Sequence, residues 1–166
     1  PIIDRWGGLC YLRGKKVLMI RPFSFSDLDS ILQIESQSFP KSPYDWTTFL
    51  NLYTLYPETF LVYTHTTHGQ KEGEILGYII FSKDGHIISI AVHPRHRRKG
   101  VGKELLQRAM KIPCLIKVWA EVRRSNLGAQ AFYSKMGFQI TGLVQNYYGN
   151  EDALIIQWTP LTRESH

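Results

Sequence analysis

Apolar and polar positions alternate along the chain in stretches that read in turn as strands and helices. Val17-Leu18-Met19-Ile20-Arg21 reads as a first strand, and Phe25-Ser26-Asp27 leads into a helix carrying Leu28, Ile31, Leu32 and Phe39. Pro40 and Pro43 break that helix, and a second short one holds Trp46, Phe49 and Leu50. Thr59 to Thr64 and Ile75 to Phe81 predict strands joined by a polar loop around Gly69. Ile87-Ile88-Ser89-Ile90-Ala91-Val92 reads as a buried strand. Beyond it Val101, Leu105 and Ala109 recur at helical spacing until Pro113 stops the pattern. By the strand period of two, Leu115, Lys117, Trp119 and Glu121 share one face of the next strand. Ile116, Val118, Ala120 and Val122 take the other. Ser125-Asn126 caps a helix with Ala129, Phe132, Tyr133 and Met136 on one face, and Gly137 ends it. Phe138 to Tyr148 and Ala153 to Trp158 close the chain as an antiparallel pair. This is not a regular βαβ series, so the expected class is α/β with a mixed sheet and helices on both faces.

The junction Arg97-Arg98-Lys99-Gly100-Val101-Gly102-Lys103, between a buried strand and an amphipathic helix, predicts an anion site. Glycines let backbone approach a ligand closely, and the N–H groups opening a helix point at it with partial positive charge. A nucleotide-hydrolase loop needs a Gly five positions before its Gly-Lys pair and a Ser or Thr after it. Here Arg97 and Glu104 occupy those places. A dinucleotide fingerprint needs a third small residue where Leu105 stands.

The pattern that fits is Arg-x-x-Gly-x-Gly, which resembles the pyrophosphate loop of the GCN5-related N-acetyltransferases. Trp119-Ala120-Glu121-Val122-Arg123-Arg124-Ser125-Asn126, followed by Ala129-Gln130-Ala131-Phe132-Tyr133 and Met136-Gly137-Phe138, resembles a second motif of that superfamily. It is similar there to the enzymes acetylating protein N-termini, both the bacterial ribosomal-protein and the archaeal N-alpha-acetyltransferases. Tyr147-Tyr148 before Glu151-Asp152-Ala153 resembles the same subfamily's peptide-binding hairpin. The resemblance runs from about Val17 to Trp158. It implies a single-domain fold with a mostly antiparallel sheet splayed between the family's fourth and fifth strands. It also implies acetyl-CoA as cofactor, released as CoA.

Composition narrows the picture. Lys and Arg number 20 against 14 Asp and Glu, a net charge of +6, concentrated at Arg95, Arg97, Arg98 and Lys99. Such a patch can bind nucleic acid, but the phosphates of coenzyme A already account for it, and no direct nucleic-acid function is expected. Contact with a ribosome stays open as a partnership. No run of about 18 apolar residues predicts a membrane span, and residues 1–16 carry no signal-peptide pattern. Cys10 and Cys114 lack a CxxC spacing, which suits a reducing cytoplasm. His65-x-x-His68 in a polar loop reads as a surface hairpin, and no metal site is expected. The acetyltransferase domain is expected over 17–160, followed by a tail at 161–166. Residues 1–16 could be a tag remnant, a dimer arm or an added strand. Oligomeric state is open.

Amide formation by direct attack of a free amine on a thioester needs no covalent enzyme intermediate, so a Ser/His or Cys/His pair is not required. An α-amine with pKa about 8 needs only a mild base, whereas a Lys side chain near 10.4 needs a stronger one. Glu121, at the strand end where the family carries a catalytic Glu, is one candidate base. Its alternative is a carboxylate that faces water or pairs with Lys117. His86, matching a His of the archaeal enzymes, is another, since a pKa near 6.5 suits proton acceptance at neutral pH, or else an exposed turn residue after Asp84-Gly85. Tyr133 is the candidate acid for the leaving thiolate, or else a core aromatic. The resemblance implies main-chain contacts from Ile90, Ala91 and Val92 to the pantetheine. It implies diphosphate contacts from Arg97, Arg98, Lys99, Gly100, Val101, Gly102 and Lys103, and further cofactor contacts from Asn126 and Tyr133. Phe39, Pro40, Tyr44, Tyr147 and Tyr148 are implied to grip a peptide end. The expected activity is acetylation of protein or peptide α-amines. The alternatives are a small amine such as a polyamine or antibiotic, a protein lysine, and a non-catalytic acyl-CoA-binding or nucleic-acid-binding module.

Overall fold

A computed structural model describes residues 2–3, 9–13, 16–67 and 73–161. The first six strands are β1 (Ile2–Ile3), β2 (Leu9–Arg13), β3 (Lys16–Pro22), β4 (Phe60–Thr67), β5 (Glu74–Phe81) and β6 (Ile87–Val92). They form one sheet in sequence order. The pairs from β1 to β5 are antiparallel. β1 and β2 fall within residues 1–16, ahead of the expected first strand. The Cys10 thiol, His68 and Gly69 lie outside the described residues; Cys114 is free and exposed. A second sheet holds β7 (Val118–Arg123), β8 (Gln139–Val144) and β9 (Ala153–Trp158) in the order β7-β9-β8, again antiparallel. A parallel bridge joins His86 to Trp119. β6 and β7 therefore belong to different sheets. The helices are α1 (Leu28–Ser38), α2 (Trp46–Leu55), α3 (Val101–Met110) and α4 (Leu127–Lys135). Among the described residues, no helix is long and apolar enough to cross a membrane.

The chain divides into two compact units. One is the chain up to Phe81 with Ser89–Gln107; the other is Ser82–Ile88 with the chain from Arg108 on. In the first, β5 is buried from Ile75 to Phe81 on both of its faces. Consecutive residues show why. Tyr78 bonds Glu35 of α1 on one face. On the other, a Cβ at Gly77 would stand 3.2 Å from Val101 and 3.3 Å from Leu105 of α3. Since side chains alternate along a strand, α1 and α3 cover opposite faces of the sheet, as expected. Phe23, Phe49 and Phe60 join this core, with Phe23 stacked on Phe60 at 4.2 Å.

In the second unit, Val118, Ala120 and Val122 are buried by alternation. The expected strand is shorter than the apolar pattern suggests. Pro113 and the left-handed Cys114 (φ 61°) keep the segment before Val118 in turns, and Ile116 is 85% exposed rather than on the buried face. β8 likewise stops at Val144, because Asn146 (φ 53°) and Gly149 (φ 80°) adopt turn conformations. Tyr147 and Tyr148 therefore stand in a turn, not a strand. α1 ends at Ser38, one residue before Phe39, which caps it through an N–H bond to the Glu35 carbonyl (2.8 Å).

Candidate active site

Gly85, at φ +101°, sets the geometry of the second unit's polar cluster. A Cβ there would meet the Lys117 carbonyl at 2.2 Å, so only glycine lets the turn come this close. The Gly85 carbonyl accepts the Trp119 N–H at 3.0 Å, which brings His86 alongside β7. Period two then puts Trp119 and Glu121 on the face that His86 meets. His86 Nε2 lies 2.7 Å from Glu121 Oε2, and its ring stacks on Trp119 with centroids 5.1 Å apart and planes at 6°. Lys117 does not pair with Glu121; its Nζ lies 4.9 Å from the centre of the Trp119 ring. The hydrogen bond to Glu121 raises the His86 pKa, against the opposing effect of burial. The same bond lowers the pKa of Glu121. The two sequence candidates for a base are thus one hydrogen-bonded pair.

Tyr133 is buried (5% exposed) and edge-on to Phe138 at 5.1 Å. Burial first, then the charges of Tyr148 and Glu121, push its phenol well above the ordinary range. It therefore keeps its proton throughout the neutral region. The turn after β8 is tied to β7 at several points. Arg123 lies 3.9 Å over the Tyr148 ring and 3.3 Å from Glu151, whose Oε1 accepts the Ser125 N–H at 2.6 Å. Tyr148 donates its hydroxyl to the Glu121 carbonyl at 3.4 Å and its N–H to the Glu151 carbonyl at 3.1 Å. Tyr147 packs edge-on to Tyr148 and is half exposed; burial and the Glu121 charge raise its pKa. His86, Glu121, Tyr133, Tyr147 and Tyr148, scattered in sequence, thus share one neighbourhood. Asn126 caps α4, its Oδ1 accepting the Ala129 N–H at 3.0 Å. The stacking Trp119 and the bracing Arg123 and Glu151 gave no sequence signal of their roles.

The first unit holds the basic loop. Pro94–His96 form a short 3-10 turn, and Arg98 (φ 60°) and Gly100 (φ 87°) turn the chain into α3. Nothing lies within 4 Å of where a Gly100 Cβ would stand. The Glu104 N–H reaches back to the Gly100 carbonyl at 3.0 Å. Helix geometry leaves the N–H groups of Val101, Gly102 and Lys103 before that bond without intrahelical acceptors. Arg98, Lys99 and Gly100 are exposed. Arg97 turns back instead, donating Nε to the Val92 carbonyl (3.0 Å) and Nη2 to Ser38 Oγ (3.1 Å). It braces the loop. Ile90, Ala91 and Val92 lie on β6, the last strand of its sheet. Phe39, Pro40 and Tyr44 occupy the turn between α1 and α2, with Tyr44 edge-on to Phe49 at 5.9 Å. Beneath that turn lies Glu35, 2% exposed and bonded to Tyr78 and Tyr44. Its one sequence signal is a carboxylate four residues after Ile31, on the helix's buried stripe.

The loop, the strand before it and the α/β order together define an acyl-CoA-dependent transferase fold. The chain belongs to the acetyltransferase (GNAT) family, whose model matches residues 28–138. It is 36% identical over 147 residues to an uncharacterized N-acetyltransferase of Methanocaldococcus jannaschii, covering 84% of this chain and 90% of that one. It is 31% identical over 165 residues to an N-alpha-acetyltransferase of Sulfurisphaera tokodaii, covering 88% and 95%. Among solved structures, Ard1 from Thermoplasma volcanium superposes with a TM-score of 0.72 at 32% identity, covering 87% of this chain and 98% of that one. The family's cofactor is acetyl-CoA, and the residues here fit it. The start of α3 offers N–H groups and flanking cations to a diphosphate, with open space at Gly100. β6 borders no further strand of its sheet among the described residues, so its main chain can pair with an extended amide-bearing arm.

Proposed function

We propose that the protein transfers the acetyl group of acetyl-CoA to the free α-amino group of protein or peptide N-termini. The observation that carries this reading is the His86–Glu121 pair at 2.7 Å. An imidazole backed by a carboxylate is a base of moderate strength, suited to an α-amine of pKa about 8 rather than to a lysine near 10.4. Bound acetyl-CoA supplies an acetyl thioester with a good leaving group. His86 takes the amine's proton, directly or through a water, and Glu121 stabilises the imidazolium that results. Tyr133, protonated throughout, offers its O–H as a hydrogen-bond donor to the departing sulfur; full proton transfer is secondary for so weak an acid. Arg98 and Lys99, with the main-chain N–H groups of Gly100 to Lys103, hold the diphosphate. Arg97 serves that site by bracing it. The main chain of Ile90, Ala91 and Val92 holds the pantetheine, and Asn126 has its amide N–H groups left for it after capping α4. Phe39, Pro40, Tyr44, Tyr147 and Tyr148 are assigned to the acceptor. The net charge of +6 disfavours a cationic small amine as acceptor.

The test is incubation with acetyl-CoA and peptides of one sequence, containing an internal lysine, with free or blocked N-termini. Mass spectrometry should place the acetyl group on the α-amine and find the blocked peptide unmodified. Acetylation chiefly on lysine, or equal reaction of blocked peptides, overturns the reading. Activity on polyamines alone makes the protein a small-amine acetyltransferase.

A further inference from the structure

Glu35 is a carboxylate placed where its burial needs a reason. Only 2% of the residue is exposed, and an unpartnered charge at such a place would cost several kcal/mol. Its partners are few and well defined. Oε1 accepts the Tyr44 N–H at 2.9 Å, and Oε2 bonds the hydroxyl of Tyr78, itself fully buried. The Tyr78 hydroxyl is in turn 3.0 Å from Ser89 Oγ on β6. The main-chain carbonyl of Glu35 also accepts the Phe39 N–H at 2.8 Å. One residue therefore holds both ends of the segment 39–44, the near end through its backbone and the far end through its side chain. Phe49 closes the arrangement, edge-on to both Tyr44 (5.9 Å) and Tyr78 (5.6 Å).

We propose that Glu35 is a positioning residue for acceptor specificity: through Tyr44 and Tyr78 it fixes the Phe39–Pro40–Tyr44 segment in the shape that receives a peptide N-terminus. The proposal rests on the acceptor assignment above. The same network ends on Ser89, the residue before Ile90 on β6, so the acceptor segment is tied to the strand assigned to the pantetheine. A main-chain N–H is the group held at the far end, so the Tyr44 ring alone does not define the segment. What the segment needs from residue 35 is an acceptor for that N–H and a polar partner for Tyr78. Glutamine supplies both, and alanine supplies neither.

The experiment compares wild type, Glu35→Gln, Glu35→Ala and Tyr78→Phe by peptide and acetyl-CoA kinetics and by hydrogen exchange at the Tyr44 amide. If the ordered segment falls to about a tenth of the population in Glu35→Ala, KM for peptide rises about tenfold. The kcat and the KM for acetyl-CoA should stay within about twofold, and Tyr44 exchange should accelerate. Glu35→Gln should restore both readouts, and Tyr78→Phe should shift both in the same direction by less. An unchanged peptide KM with unchanged Tyr44 exchange in Glu35→Ala overturns the proposal, as does a fall in kcat at constant KM. A Gln variant as impaired as Ala also overturns it, because the charge would then be the active feature. Should Glu35→Ala fail to fold, Tyr78→Phe decides by the same readouts. If wild type acetylates no peptide, the proposed function falls on its own evidence, while Tyr44 exchange still decides whether Glu35 orders the segment.

Discussion

Replacing Glu121 with Gln removes one negative charge from a 2.7 Å contact with His86 while keeping nearly the same shape. In the proposed mechanism that charge stabilises the imidazolium formed as the amine loses its proton. A hydrogen bond to a charged partner contributes about 1.5–3 kcal/mol. At about 1.4 kcal/mol per factor of ten, its loss should lower kcat/KM by roughly 10- to 150-fold. The pH profile gives a second, independent sign. Glu121 raises the His86 pKa, so in wild type the proton-accepting imidazole appears only above that raised value and the rate climbs through it. In Glu121→Gln the imidazole falls back toward its ordinary value, and the acid limb should move to lower pH even as the plateau drops. Stability should follow the same linkage. The raised His86 pKa contributes stability that is complete below about 6.5 and lost as pH rises through its folded value. The lowered Glu121 pKa contributes stability present above about 4.5 and lost as pH falls through its folded value. Steady-state kinetics on a free-N-terminus peptide from about pH 5.5 to 9, with thermal melts from about pH 3 to 9, measure all three. An unchanged plateau with an unmoved limb would refute the pair as the proton acceptor.

Three further substitutions probe separate parts of the site. Gly102→Glu should place a carboxylate at the start of α3, against the diphosphate, and abolish coenzyme A binding while leaving the melting transition in place; wild-type affinity by calorimetry would contradict the cofactor assignment. Tyr133→Phe removes one hydrogen-bond donor to the developing thiolate and should lower kcat by about 10²-fold, with acetyl-CoA affinity little changed; a fall in affinity instead of turnover would make the ring a packing element. Gly85→Ala should cost about 1–2 kcal/mol from its left-handed backbone alone. Because its Cβ collides with the Lys117 carbonyl, it should also pull His86 away from Glu121 and cut kcat/KM. Full activity in that variant would mean that the turn's close approach to β7 is dispensable.

Periodicity and local turn chemistry are written into short stretches of sequence, so strands β3 to β9, helices α1 to α4, the Asn126 cap and the basic loop before α3 were legible without coordinates, whereas β1 and β2 were not. So was the presence of His86, Glu121 and Tyr133 as candidate proton carriers, since each stands in or beside a recognisable motif. Errors fell where local signals conflict. Ile116 is apolar but belongs to a segment kept in turns by Pro113 and Cys114, and Tyr147 and Tyr148 follow a strand that a left-handed Asn146 has already ended. Only the tertiary structure decided what pairs with what. His86 and Glu121 are 35 residues apart, and they meet because the turn at Gly85 has no side chain to keep β7 away. Glu35 and Tyr78 are 43 apart, and their bond depends on which face of β5 α1 covers. Helical and strand periods state which side of an element is buried, but they carry no information about the partner across the interface. A charge such as Glu35 on a buried stripe, or the choice of Arg97 to brace rather than reach outward, is settled by that partner.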